Sequence, residues 1–315
     1  MNQSPLTFDE FMASDARTKD YPGGVSHLAD ALIARHGPAV INILLYGSCR
    51  RETDLDEGLV DLLVIVSRYR DVFGWGLASL LNWLLPPNVY YLETRASDSG
   101  QADHRTLRCK YAIISKAQFQ RRMRARSDHY FWARFCQPMR QVWGKQEPGI
   151  ASARAEGARS FARRIAPLID QSLSAEAFWS LALTTTYRCE LRPESPGNAR
   201  RLIDHDPVYW RQATDYLAAE GLVLADDAGY RSPHGAARRW RTRFAWGLRR
   251  ISGKLYNLAR LFKAAGTFSN GIDYIVWKVE RHSGVRVEPT ERMRRYPRLA
   301  AWGLAWRMWR GGGFR

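Results

Sequence analysis

Apolar residues in the first 150 positions form short, nearly continuous runs separated by polar loops. Runs of this length that are rich in branched residues are typical of strands buried on both faces of a sheet. They predict strands at 39–46, 62–66, 89–93 and 107–115. Three- and four-residue apolar steps predict a helix over 25–36, and a basic helix is predicted over 116–126. The succession predicts an α/β or α+β domain over residues 1–150.

The longest uncharged run, residues 72–92, has the length of a bilayer-spanning helix. Asn82 and the Pro86-Pro87-Asn88 break divide this run into a short apolar helix and a strand. Apolar segments of that length are typical of a protein core, so we expect this helix to be buried. The N-terminal residues have no apolar centre and include early acidic residues, which argues against a secretory signal or a transit peptide.

Residues 151–235 change to a helical pattern that ends in a small β-hairpin pattern. A helix is predicted over 209–220, followed by a strand at 222–224, an Asp226-Asp227-Ala228-Gly229 turn and a strand at 230–231. This order is typical of a winged-helix module. Because such modules either bind DNA or only pack against neighbours, the pattern predicts a helical, winged-helix-like domain but assigns it no partner.

Residues 236–315 form a basic, Trp-rich region. Segment 236–265 holds nine basic residues and no acidic ones, and its apolar residues recur at helical steps. Aromatic residues among arginines are typical of an amphipathic helix lying on an anionic membrane. The predicted membrane contacts are Arg238, Arg239, Trp240, Arg241, Arg243, Phe244, Arg249 and Arg250. Two alternatives stay open: single-stranded nucleic acid binding, or packing of the apolar stripe on the main domain.

Composition narrows the class of partner. The 315 residues include 48 Lys and Arg against 31 Asp and Glu, a net charge of +17, which indicates phosphate on nucleotides, nucleic acid or anionic lipid. The four cysteines are scattered with no C-x-x-C pair. That spacing excludes a disulfide scaffold and a cysteine-based zinc site, and it fits a reducing cytoplasm.

The most informative motif joins two predicted strands. Tyr46-Gly47-Ser48 ends the first strand, and Asp61 opens the next one after a polar loop. This layout is typical of the nucleotidyltransferase fold of DNA polymerase β, where a glycine permits close approach to a triphosphate, hydroxyl and amide groups bind phosphate, and carboxylates hold Mg²⁺. Most such enzymes carry D-x-D on the second strand, whereas Leu59 stands in its first position here. Asp56 and Glu93 are therefore the predicted further Mg²⁺ ligands.

The chain resembles the mitochondrial-type CTP:phosphatidate cytidylyltransferases, the mitochondrial translocator assembly and maintenance family, which has bacterial members. The similarity is collinear and lies in Tyr46-Gly47-Ser48 with Val60-Asp61-Leu62, Asn88-Val89-Tyr90-Tyr91, residues 107–115 and residues 130–139, with a weaker match over 173–188. The third of these is similar to the family's K-Y-G-V-I-S strand and the fourth to its L-Y-x-A-G-R-L-Q-K-P-V segment. The family's W-H-x-x-N and H-Y-S segments are not visible, and no glycine precedes Arg134.

This resemblance implies a nucleotidyltransferase domain, a winged-helix-like domain and a membrane-associating C-terminus. It implies Mg²⁺-dependent transfer of a cytidylyl group from CTP to phosphatidic acid, giving CDP-diacylglycerol and pyrophosphate. By resemblance Lys110 contacts the nucleotide phosphates, Tyr46, Gly47 and Ser48 hold the triphosphate, and Asp61 holds the metal. The protein is then expected in the cytoplasm, peripheral on the inner face of the membrane.

Two other functions stay open on the sequence alone. The first is a nucleotidyltransferase that acts on nucleic acid or on another phosphorylated acceptor. The second is a non-catalytic adaptor that binds membrane or nucleic acid through a transferase-like fold, which the missing D-x-D motivates.

Overall fold

The computed structural model describes residues 6–19, 21–47, 59–96, 105–125, 127–145, 147–190, 196–267 and 291. The helices are α1 (Phe8–Arg17), α2 (Gly24–His36), α3 (Tyr69–Phe73), α4 (Leu77–Leu84), α5 (Lys116–Arg124), α6 (His129–Phe135), α7 (Pro148–Ile165), α8 (Ala175–Tyr187), α9 (Pro196–Asp204), α10 (Pro207–Ala219) and α11 (Ala236–Thr267). The strands are β1 (Val40–Tyr46), β2 (Val60–Val66), β3 (Asn88–Ala96), β4 (Arg105–Ser115), β5 (Arg140–Gly144), β6 (Leu224–Asp226) and β7 (Gly229–Arg231). The predicted α+β class is confirmed.

Five strands form one mixed sheet in the order β3-β4-β2-β1-β5. The central strand, β2, pairs in parallel with β4 and antiparallel with β1. β3 and β5 pair antiparallel with β4 and β1 and form the two edges. β1 to β4 confirm the four predicted strands, whereas β5 was not predicted.

Helices cover both faces of this sheet, which explains the nearly continuous apolar runs in β1 and β2. On one face, Leu28 and Leu32 of α2 belong to one buried cluster with Leu62 of β2. On the other face, α5, α6 and α7 cover a second cluster that includes Leu44 and Leu63. Successive residues of a strand point to opposite faces, so each run supplies both clusters.

A third core lies among the remaining helices, and its largest buried side chains include Trp132, Trp179 and Trp210. α1 joins this core, since Arg154 of α7 donates to the Met12 carbonyl oxygen at 2.8 Å. α7 packs on α1, α5 and α6, and it begins at Pro148. The predicted domain boundary at residue 150 therefore falls in the first turn of a helix that contacts elements on both sides of it.

The predicted helix and hairpin of the 151–235 region are present as α10, β6 and β7. Leu173, just before α8, adds a bridge to Tyr230 of β7 through two backbone hydrogen bonds of 2.9 and 2.8 Å. The hairpin is therefore attached to the helices that precede it.

The prediction that the apolar helix α4 is buried was wrong, because the apolar side of this helix faces solvent. α4 buries Asn82, whereas the large apolar side chains in and beside it are exposed. These exposed residues are Trp75, Leu77, Leu80, Trp83 and Leu84. The physical reason is the partner of Asn82: its Oδ1 accepts a hydrogen bond of 3.1 Å from the buried ammonium of Lys263 in α11.

The long helix α11 also packs through its less apolar side. Thr242, Trp246, Gly253 and Lys263 are buried against the rest of the protein. The apolar stripe on the other side is exposed and consists of Trp240, Phe244, Leu248, Ile251, Leu255 and Leu258. The alternative in which this stripe packs on the main domain is therefore contradicted. Apart from residue 291, the predicted membrane region beyond residue 267 lies outside the described residues.

Candidate active site

A row of polar side chains crosses the sheet where β1 ends and β2 begins. The strand registers pair Tyr46 with Asp61, Asp61 with Lys110, and Lys110 with Tyr91. Directly paired residues point to the same face, so these four side chains lie side by side on the face that α5, α6 and α7 cover. The side chains of Asp61 and Lys110 are 28% and 39% exposed, so solvent reaches this end of the row.

Gly47 and Asp61 are in close contact. Gly47 has φ +81°, a left-handed conformation that favours glycine. A Cβ atom at this position would lie 3.1 Å from Oδ2 of Asp61. The glycine therefore leaves an open backbone position directly beside a carboxylate, as the motif predicts. Ser48 lies outside the described residues.

Asp61 and Lys110 form an ion pair across the parallel strands β2 and β4, with Nζ 3.3 Å from Oδ1. Asp61 and Lys110, the predicted catalytic pair of metal ligand and phosphate contact, are thus brought together by strand register and not by sequence proximity. A flexible lysine beside a carboxylate can turn toward a phosphate, because its charge is a point charge on a long side chain. The arrangement can bind an anion and a hard cation next to each other.

Tyr46 is a neutral hydrogen-bond donor in this row. Burial raises the pKa of its hydroxyl, the Asp61 carboxylate raises it further, and Lys110 opposes that rise. The Tyr46 ring packs on Phe135 of α6, with ring centroids 5.6 Å apart. The phenol therefore keeps its proton at neutral pH and can donate it to a phosphate oxygen.

Two residues of α6 extend the row and had no predicted role. The Arg134 guanidinium lies 3.9 Å from the centre of the Tyr130 ring and donates two hydrogen bonds, of 2.7 and 2.9 Å, to Glu190. Tyr130 packs against the same apolar cluster as Tyr46, and the charges of Tyr130 and Arg134 both influence the pKa of Tyr46. Their four-residue spacing, which puts them on one helix side, is the signal that could have identified them.

The structure places Glu93 away from Asp61. Glu93 pairs with Arg108 in the sheet, accepts a 2.9 Å hydrogen bond from the Tyr91 hydroxyl and forms a 3.2 Å ion pair with Arg108. β4 lies between β3 and β2, so the Cα atoms of Glu93 and Asp61 are separated by two strand spacings, about 10 Å, before any offset along the strands. In this arrangement the Glu93 carboxylate contacts Tyr91 and Arg108 and is not brought beside Asp61.

The remaining groups fit Mg²⁺ only in part. No group of three or more His, Cys, Asp or Glu side chains close enough to hold a metal occurs in the described ranges. Asp56, the other predicted ligand, lies outside them. Mg²⁺ is commonly held by one or two carboxylates together with substrate phosphates and water, and Asp61 beside an open backbone position meets that minimum.

The predicted membrane contacts divide into two groups. One group is exposed to solvent and consists of Arg238, Trp240, Arg241, Phe244 and Arg250. In the other, Arg239 and the exposed Arg243 pair with Asp170, at 2.6 and 3.1 Å, and Arg249 lies over the Trp246 ring. The exposed group is available to a partner surface, whereas the second group helps to attach α11 to the protein.

Two large cavities lie away from the row. One of about 550 Å³ is lined by α1, β1 and α7, and one of about 700 Å³ lies along β5 and the start of β1. Within the described residues, no side chain of the row lines either cavity. Size alone therefore does not identify the site, and the assignment depends on the chemistry of the row.

None of the helices in the described part of the chain has the length and apolar character needed to cross a bilayer. Comparison of the chain with protein-family models and with curated proteins gives no match.

Proposed function

We propose that this protein is a Mg²⁺-dependent nucleotidyltransferase that transfers a cytidylyl group from CTP to phosphatidic acid at a membrane surface. The observation that carries the proposal is the contact of Asp61 with both Gly47 and Lys110. It combines a carboxylate, an uncrowded backbone position and a lysine at one strand end, which are groups suited to a nucleoside triphosphate. The choice of CTP and phosphatidic acid comes from the family resemblance.

The reaction needs positioning more than acid–base chemistry. A phosphate oxygen of phosphatidic acid attacks the α-phosphorus of CTP, the bond from that phosphorus to the bridging oxygen breaks, and pyrophosphate leaves. Because a phosphate monoester is already nucleophilic, no strong general base is required. Lys110 and the Tyr46 hydroxyl would hold and neutralise phosphate oxygens, and the open backbone at Gly47 would admit them.

Asp61, with Asp56, would hold Mg²⁺, which when bound supplies positive charge to the triphosphate. Lys110 now occupies one oxygen of the Asp61 carboxylate. Exchange of that ion pair for a contact between Lys110 and a phosphate would leave the carboxylate available as a metal ligand.

A membrane location is supported by the two helices that expose apolar sides, α4 and α11. They are joined directly, since Lys263 donates to Asn82 and the Tyr256 hydroxyl donates to the Leu84 carbonyl oxygen at 3.2 Å. The exposed basic residues Arg241 and Lys254 lie beside the apolar stripe of α11. Large exposed apolar surfaces mark interaction sites, and basic flanks favour anionic lipid.

The test is transfer of label from α-labelled CTP, with Mg²⁺, into an organic-extractable product in the presence of phosphatidic acid vesicles. We expect Asp61→Asn to lower the rate by at least about a hundredfold, because a charge-stabilising group is removed from the reacting phosphates. Asp30→Asn on α2, an exposed aspartate outside the row, is the matched control and should be fully active. Full activity of the Asp61 variant would contradict the proposal. Transfer only with another nucleotide or acceptor would keep the chemistry and change the substrate.

A non-catalytic adaptor is the second candidate, and the Asp61–Lys110 ion pair favours it because a lysine can replace a metal ion as the partner of a carboxylate. The two functions separate clearly. An adaptor would bind anionic vesicles or oligonucleotides with no nucleotidyl transfer from any tested nucleotide, and Asp61→Asn would leave that binding unchanged.

A further inference from the structure

A separate cavity of about 230 Å³ lies between the α5–α6 connection and the middle of α11. Its walls include three arginines, Arg122, Arg249 and Arg260, and the segment Asp128–Tyr130. None of the row residues Tyr46, Asp61, Lys110 and Tyr91 lines it. Tyr130, which extends the row, does line it, so the cavity is built on different charged side chains but adjoins the candidate active site.

Donor groups in the wall of this cavity have no acceptor in the described part of the chain. They are Nε of Arg122 and Nε and Nη2 of Arg260. The other guanidinium nitrogens of Arg122 donate to Asp128 at 3.0 Å and to the Leu84 carbonyl oxygen at 3.2 Å. Leaving buried charged donors without acceptors is unfavourable, so the cavity is suited to a ligand rich in acceptor oxygens.

The wall also carries excess positive charge. Three guanidinium groups face one carboxylate, Asp128, among the lining residues. The pKa of Arg249 is lowered mainly by burial and secondly by the charge of Arg164. The pKa of the nearby Lys263 is lowered to about 7, mainly by burial and secondly by the charge of Arg260. Burial likewise lowers the pKa of His129, which keeps it neutral at pH 7. With one carboxylate for three guanidinium groups, the lining residues carry a net positive charge.

The arginine at the centre of the wall is held in place by aromatic rings. The Arg260 guanidinium lies 4.0 Å from the Tyr130 ring centre and 4.5 Å from that of Tyr256. Such stacking restricts a planar guanidinium and leaves its edge nitrogens to bind oxyanions, which lowers the entropy lost when a ligand binds.

The cavity lies where the two exposed apolar helices meet. The Leu84 carbonyl oxygen at the end of α4 accepts from both Arg122 and Tyr256, so one wall of the cavity contacts α4 and the other belongs to α11. A lipid headgroup would reach this position if both helices lay on a bilayer. Tyr130 also stacks with Arg134, which connects the cavity to the row.

We propose that this cavity binds the dianion of a phosphate monoester, presented by a lipid headgroup or as free phosphate, through Arg260 and Arg122. A dianion matches the excess of cationic side chains, and its terminal oxygens accept paired N–H groups of guanidinium. A phosphodiester has one charge fewer and one less free oxygen, so the cavity discriminates against it. The proposal does not require nucleotidyl transfer.

The first experiment measures binding of inorganic phosphate to the full chain by titration calorimetry, at ionic strength held constant with chloride. We expect Arg260→Gln to weaken binding about tenfold or more, since a charge-assisted pair is lost. Arg200→Gln is the matched control, because Arg200 is an exposed arginine on α9 and lies outside the cavity. An equal loss in both variants, or no binding by the unaltered protein, overturns the proposal.

The second experiment distinguishes the source of the phosphate. Vesicles of phosphatidylcholine with phosphatidic acid are compared with vesicles carrying phosphatidylglycerol, an anionic phosphodiester, at equal surface charge. A preference for phosphatidic acid that Arg260→Gln removes assigns a lipid headgroup, whereas phosphate binding without that preference assigns free phosphate. If Arg260→Gln misfolds, the melting temperature of the unaltered protein in phosphate is compared with that in chloride. We expect phosphate to raise it, and the absence of such a rise contradicts the proposal.

Discussion

Gly47 and Asp61 meet because β1 and β2 pair antiparallel with Tyr46 opposite Asp61. The residue after Tyr46 must then turn away from the sheet beside the carboxylate. Two separate features require glycine at position 47. Its φ is positive, and the Cβ atom of any other residue would lie 3.1 Å from Asp61 Oδ2. One requirement concerns the backbone and the other concerns the site.

A pair of glycine variants separates these two requirements. Gly47→Ala and Gly74→Ala both place alanine at a positive φ, +81° and +68°, but a Cβ at Gly74 meets nothing within 4 Å. We expect each variant to lose about 1–2 kcal/mol of stability through backbone strain. Only Gly47→Ala should also lose nucleotidyl transfer, by at least about tenfold, as measured with α-labelled CTP. Equal activity in the two variants would mean that the crowding of Asp61 has no consequence.

His36 gives the protein a predicted sensitivity to acid. Burial, followed by Arg35, lowers its pKa to about 4, and its Nε2 lies 3.3 Å from the Tyr111 hydroxyl. The unfolded chain binds this proton more readily between pH 6.5 and 4, so the stabilising contribution is complete above pH 6.5 and falls as the pH drops toward 4. Because the ring is only partly buried, we expect a loss of about 1–2 kcal/mol.

Urea unfolding at pH 7 and pH 4.5 measures this effect. His36→Gln should reduce the difference between the two pH values, and His27→Gln, an exposed histidine on the same helix, should leave it unchanged. A difference that persists in His36→Gln would assign the acid sensitivity to other groups.

Asp61 and Gly47 could be placed in the site from the sequence because a strand-end glycine and a strand-entry acid are separated by a single loop. The position of Glu93 relative to Asp61 could not be predicted in this way. Its distance from Asp61 depends on strand order, and the parallel pairing of β2 with β4 puts a strand between them. The four-residue spacing of Tyr130 and Arg134 puts them on one side of α6, but only the fold shows that this side faces Tyr46.

Among the elements, α11 depends on a close contact at Gly253. A Cβ atom there would lie 2.7 Å from the Cys189 carbonyl oxygen and 3.1 Å from His129 Nε2. The glycine lets the helix approach α6 and the end of α8. This contact, with the Trp246 indole donating to the Arg164 carbonyl oxygen at 3.0 Å, fixes which side of α11 is buried.

Alanine at two glycines of α11 should therefore have opposite effects. We expect Gly253→Ala to lower stability by about 1–3 kcal/mol, because the added methyl group overlaps the Cys189 carbonyl oxygen. Gly247→Ala meets nothing within 4 Å and should raise stability by about 0.5–1 kcal/mol through its helix propensity. Thermal unfolding monitored by Trp fluorescence tests both, and destabilisation by Gly247→Ala would contradict the placement of this helix.

Elements with strong local patterns were predictable. β1 and β2 are nearly continuous apolar runs, the second half of β4 contains one at residues 111–114, and α2 and α11 have a clear helical period. β5 is an edge strand with polar residues, and α6 has aromatic residues on nearly all sides, so neither has a usable period. Periodicity shows which residues of α4 and α11 share a side, but it does not show which side the protein buries, and in both helices the apolar side is outside.

For the whole molecule, the exposed sides of α4 and α11 predict two membrane contacts on helices that are joined to each other. Two weak contacts held rigidly together bind more strongly than either alone. The hydrogen bond from Lys263 to Asn82 joins α11 to α4 and helps to fix their relative positions. The protein would therefore associate with a bilayer through both helices at once.

Removing part of either apolar side should weaken vesicle binding. We expect Ile251→Gln with Leu255→Gln to lower partition into anionic vesicles by about ten- to a hundredfold, since two large apolar groups no longer leave water. Leu80→Gln with Trp83→Gln on α4 should have a comparable effect. Val208→Gln, which alters an exposed apolar residue on α10, is the control and should bind as the unaltered protein does in cosedimentation. Loss of binding in the control would point to general instability.

The outward orientation of the α11 stripe reverses the usual relation between exposure and tolerance to mutation. At Leu248 and Ile251 the stability of the fold places little demand on the side chain, since both are more than half exposed. Selection for association with a membrane surface would nevertheless keep these two positions apolar. These positions should therefore tolerate exchange among Leu, Ile, Phe and Trp but not substitution by Lys or Glu. Thr242, on the buried side, should vary less. A saturation library scored once for folding and once for function would give two different maps of the same helix.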